Sequence, residues 1–99
     1  MEKIVVHVDA DLEDLIPGYL QNRRQDVGAI LQALENQDFE TIRILGHTMK
    51  GTGGGYGFDA ITEMGRALET AAKDKNAQAI QQGTAALLNY LQAVEVVFH

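Results

Sequence analysis

Serine and cysteine are both absent from this 99-residue chain, so the usual nucleophiles of hydrolytic triads are missing. His47 stands in the run Gly46-His47-Thr48-Met49-Lys50-Gly51-Thr52-Gly53, inside a pattern that otherwise reads as amphipathic helix. An imidazole with an ordinary pKa of about 6.5 offers a free lone pair near neutral pH. Such a nitrogen can take up a phosphoryl group, and the product places about two negative charges on the helix surface. Lys50, three residues on, is within reach of that charge, and its compact ammonium on a flexible stem can follow it. Gly51, one turn after His47 on the same face, leaves room for another surface to close over the ring. Taken alone, a histidine with a lysine at i+3 also describes an ordinary solvent-facing pair.

Other residues offer less. His7 and His99 have no metal-ligand partner at i+3 or i+4, so they read as inert, and no metal site is expected. Asp11, Glu13 and Asp14 look like helix-start charges, and Arg23 and Arg24 like solvated side chains. The glycines from Gly51 to Gly57 match neither a dinucleotide fingerprint nor a P-loop. Gly55 and Gly57 suit a flexible turn. Ile44, Tyr56, Phe58 and Met64 are candidates for an apolar docking patch, although burial is the commoner fate of the last three.

The elements that must position His47 follow from periodicity. A length of 99 residues with 45% hydrophobic content suits one domain with one core. A net charge of −6 argues against nucleic acid as a partner. No apolar run approaches the roughly 18 residues of a membrane span, and the start lacks a secretory layout, so a cytoplasmic protein is expected. Lys3 to Val8 reads as a short extended arm. Asp9 is a good N-cap for a stripe of Leu12, Leu15 and Ile16 that meets Pro17, where a kink or a helix restart is expected. A long helix then carries Leu20, Val27, Ile30, Leu31 and Leu34 and ends near Asn36.

Asp38 should cap a second helix with Phe39, Ile42, Leu45 and Met49 turned inward and Arg43 on the His47 side. A third helix is expected from between Gly57 and Ala60, with Asp59 as its cap and Ile61, Met64, Ala67, Leu68 and Ala71 inward. A fourth is expected from about Ala77 to Val97, with Ile80, Ala85, Leu87, Leu88, Leu91 and Val94 as its stripe. The expected fold is therefore all-α: an antiparallel up-down four-helix bundle over residues 9–97, with residues 1–8 as the arm of a single domain.

The run from His47 to Gly53, followed by Tyr56-Gly57-Phe58, closely resembles the signature of histidine-containing phosphotransfer (HPt) domains of two-component phosphorelays. That signature reads His, any residue, an aliphatic residue, Lys, Gly, small residues, then an apolar residue and Gly. Gly46 stands where the family usually has alanine, and Gly53-Gly54-Gly55 is richer in glycine than usual. The resemblance covers nearly the whole chain. It implies that His47 is the phosphorylated residue, Lys50 its electrostatic partner and Gly51 the clearance for a receiver domain, with Arg43, Ile44 and Gly54 on the docking face.

If the second and third helices form an antiparallel hairpin turning near Phe58, Glu69 lies across from His47, at a place where family members often hold Gln or Glu. There it can accept from Nδ1–H and leave Nε2 to attack; a plain surface glutamate at i−4 from Lys73 is the alternative. The expected function is to accept a phosphoryl group on His47 and exchange it with the aspartate of a response-regulator receiver. A sensor histidine kinase is the other expected partner. No ATP site and no cofactor are expected, with Mg2+ only on the receiver, and a monomer suffices. A non-phosphorylated helical adaptor, or the substrate module of a chemotaxis-type kinase, are the competing readings.

Overall fold

A computed structural model describes residues 3–99. Strand β1 (Ile4–Val8) leads, through a 3-10 turn at Ala10–Leu12, into helix α1 (Ile16–Glu35). Helix α2 (Phe39–Thr52) follows, then a 3-10 turn at Gly54–Tyr56, α3 (Asp59–Lys73), α4 (Ala77–Ala93) and strand β2 (Val94–Phe98). The four helices pack on one core in which Ile16, Ile30, Ile42, Met49, Phe58, Ile61, Leu68, Ile80 and Leu87 are fully buried. Each such side chain contributes about 1.5–3 kcal/mol by leaving water. No helix among the described residues is long and apolar enough to cross a membrane.

The expected fourth helix is too long. It ends at Ala93, and Val94-Glu95-Val96-Val97-Phe98 pairs in parallel with β1, Ile4 opposite Val94 and Val8 opposite Phe98. A β-branched, aromatic-ended run alternating between core and solvent fits a strand better than a last helical turn once a partner strand lies alongside. Residues 4–8 of the arm are thus half of a small sheet, and the described residues form four helices plus two strands.

The chain's start also differs. Asp9 does cap, its carboxylate accepting from the Asp11 N–H, but it caps only the 3-10 turn. α1 begins at Ile16 without a side-chain cap, and Pro17 lies in its first turn, where its missing N–H has no helical partner to lose. Asp38 caps α2 as expected, accepting from the Thr41 N–H. Asp59 is the first residue of α3 and not its cap; Phe58 holds the cap position without a side-chain hydrogen bond.

Several stripes are rotated. Leu31, Ala67, Ala85 and Leu88 are exposed, whereas Glu69, Ala72, Thr84 and Tyr90 are buried. Arg23, expected in solvent, is buried: its guanidinium lies over the Tyr19 ring and its Nε donates to Asp26 at 2.8 Å. Burial nevertheless raises the Asp26 carboxyl above its ordinary value, against the pull of Arg23.

Candidate functional site

The site is built on the α2–α3 hairpin, the most extensive helix–helix contact of the molecule. Three glycines set the approach of the two backbones. A Cβ added at Gly46 would meet the Glu69 amide nitrogen at 2.7 Å and the Gly65 carbonyl at 2.8 Å. One at Gly65 would meet the Lys50 nitrogen at 2.5 Å, and one at Gly53 the Thr62 nitrogen at 2.6 Å. Only a residue without a side chain fits such contacts. Gly46 faces Glu69, Lys50 faces Gly65 and Gly53 faces Thr62, so the two helices run antiparallel and every pair sits level.

That spacing brings Glu69 beneath two residues of α2. Its Oε2 lies 2.7 Å from His47 Nδ1, and its Oε1 accepts from Lys50 Nζ at 2.6 Å. The Glu69 side chain is only 6% exposed, Lys50 is 32% exposed and His47 is 64% exposed. First the Lys50 ammonium and then the His47 ring hold the Glu69 carboxyl at about 2, against burial, which pushes it up; the charges of Lys50 and Lys73 add to the depression. A carboxylate ionised at neutral pH can only accept, so Nδ1–H is the donor, and in the neutral ring the lone pair then lies on Nε2. With the ring mostly in solvent, a partner can reach that nitrogen.

The other expected site residues fall as follows. Gly51 is exposed, and a Cβ there would meet nothing within 4 Å. Ile44 is 50% exposed. Both stand within a quarter-turn of His47 on the helical wheel. Arg43 is half-buried and tied to Glu40 through Nε and Nη2. Gly54 is exposed, its N–H donating to Thr62 Oγ1 at 2.8 Å. Phe58 is fully buried, Tyr56 and Met64 half-buried. Tyr56 stacks on Tyr19, whose hydroxyl meets Thr52 Oγ1 at 3.1 Å, so it closes the turn against α1.

Sequence reasoning missed the glycine seam. Gly46 and Gly53 are seven residues apart, two turns along one face, and that spacing was the available signal. It also missed that His7 and His99 meet, because their contact, between residues 92 positions apart, depends on the pairing of the chain's two strands. Among the described residues, no three His, Cys, Asp or Glu side chains gather as metal ligands.

The Hpt domain model matches residues 14–96, more than four-fifths of the chain, whereas there is no significant match among curated proteins or solved structures. With an exposed imidazole backed by a buried carboxylate on that matched segment, the chain belongs to the Hpt domain family, the histidine phosphotransfer modules of two-component phosphorelays.

Proposed function

We propose that His47 is the phosphoacceptor and that it exchanges its phosphoryl group with the aspartate of a receiver domain. The observation that carries this reading is the pairing of Nδ1 with buried, ionised Glu69 while the rest of the ring faces solvent. The Nε2 lone pair attacks phosphorus, the bond from phosphorus to the aspartyl oxygen breaks, and the aspartate leaves as carboxylate. The Nδ1 proton stays where it is, and Glu69 balances the cationic ring that results. The reverse step, onto the aspartate of a second receiver, regenerates the neutral imidazole.

Lys50 starts in the grip of Glu69 and swings toward the phosphoryl oxygens as they arrive, a movement that its flexible stem permits. Gly51 gives clearance, and Ile44, Arg43 and Gly54 border the docking face. Mg2+ belongs to the receiver, and docking is transient. A cytoplasmic, monomeric, single-domain protein built as an up-down bundle suits this role, with a histidine kinase upstream.

Incubation with a phosphorylated receiver tests the proposal. The expected product is acid-labile, base-stable label on the parent chain and none on His47→Gln. Equal label on that variant overturns the assignment, and a parent that binds receivers yet takes up no label is an adaptor. Glu69→Ala should keep the fold and slow phosphorylation about tenfold or more.

A further inference from the structure

We propose that His7 and His99 form a two-imidazole site for a late first-row divalent metal ion, zinc or copper, bridging β1 and β2. The sheet's register puts His7 opposite Val97, and His99 follows Phe98 on the same strand. Alternation turns Val6, Val8, Val96 and Phe98 toward the core and His7, Val97 and His99 toward solvent. Both backbones are held. The His99 N–H donates to the Val8 carbonyl at 3.1 Å, and the His99 carbonyl accepts from the Ala10 N–H at 2.8 Å.

The two rings converge, their centroids 4.6 Å apart, with His7 Nδ1 and His99 Nε2 separated by 2.5 Å. At that separation one ring's N–H donates to the other ring's nitrogen, and a metal ion can take the place of that shared hydrogen. A tetrahedral zinc with Zn–N of about 2.0–2.1 Å asks for nitrogens on the order of 3.3 Å apart. Both side chains are exposed, so a small ring rotation on fixed backbones opens that gap.

The neighbouring carboxylates are engaged elsewhere: Glu95 pairs with Lys3 at 3.7 Å, and Asp9 accepts from the Asp11 N–H. Water completes the coordination, which makes the site exchangeable. Copper should bind more tightly than zinc, following the usual order of divalent affinities. Because residues 7 and 99 are brought together only in the folded chain, binding stabilises the native state.

The test is titration of the whole chain, with 15N-labelled histidine, by zinc chloride and then by a copper salt. The expected result is saturation at one equivalent. The His7 and His99 ring signals shift together with zinc and broaden with copper, while those of His47 stay in place. The melting temperature rises with zinc. His7→Ala and His99→Ala, both at exposed positions, each weaken binding at least tenfold and lose the thermal shift. Rings that keep their metal-free spectrum in excess zinc overturn the proposal, as does either variant binding like the parent, or His47 alone responding.

Discussion

The α2–α3 seam and the two turns at the opposite end of the hairpin use glycine in contrary ways. Where α1 and α3 end, the chain makes the same closure twice. The Gln37 N–H donates to the Leu34 carbonyl and the Asp38 N–H to Ala33; the Lys75 N–H donates to Ala72 and the Asn76 N–H to Ala71. Both closures put a residue in the left-handed region, Gln37 at φ 55° and Lys75 at φ 52°, where glycine is the common choice. Asp38 and Asn76 then cap the next helix. At the seam, glycines occupy ordinary helical positions, where they weaken a helix by about 1 kcal/mol each against alanine. Backbone contact, and not backbone conformation, demands them there. The lesson is that this chain accepts local strain in its connections and keeps close approach for the helices that carry His47 and Glu69.

The largest expected effect breaks the seam. Gly46→Ala places a methyl against two backbone atoms that cannot swing aside, so it should lose about 1–3 kcal/mol in urea unfolding, the usual range for overpacking. Because the helices must part, Glu69 draws away from His47 and phosphotransfer slows as well. Gly51→Ala is the matched control on the same helix. With open space around it, stability should hold or rise by up to about 1 kcal/mol, while transfer to a receiver slows because the methyl stands on the docking face. Equal stability losses in the two variants would show that the seam is not special.

Legibility in the sequence divides along the same line. The exposed helical place of His47, with Lys50 one turn on, and the cap at Asp38 were readable because local spacing decides them. Glu69 was readable only through an assumed hairpin pivot. The exposure of Ala67 and Leu88 and the burial of Arg23 depend on which neighbour each helix meets, and a single stripe does not encode that. The end of α4 was misplaced for a related reason: Val94 to Phe98 is apolar enough for either a helix or a strand, and only β1, ninety residues earlier, chooses between them.

A second test sharpens the seam's purpose. Glu69 ionises at about 2 in the folded chain, below its ordinary value of 4.5, so its ionised form contributes stability above pH 4.5. That contribution fades as pH falls from about 4.5 toward 2. Glu69→Gln removes the titrating group, so the difference in unfolding free energy between parent and variant should shrink across that window. A difference that stays flat from pH 6 to pH 2 would mean that Lys50 and His47 do not hold the carboxylate in solution.

The smallest effect comes from the strained turns. Gln37→Gly relieves a left-handed conformation that costs a residue with a Cβ about 1–2 kcal/mol, but it also loosens the unfolded chain, which returns part of the gain. A net stabilisation of about 0.5–1 kcal/mol is expected, and the same for Lys75→Gly, because the two closures have the same hydrogen-bond pattern. Since both side chains are exposed and the hydrogen bonds of Glu69 run to His47 and Lys50, receiver phosphotransfer should be unchanged. Because Gln37 and Lys75 line one cavity, the double variant shows whether the two gains add. Urea unfolding of the single and double variants measures this, and a loss at either position would mean that the side chain contributes more than the backbone strain costs.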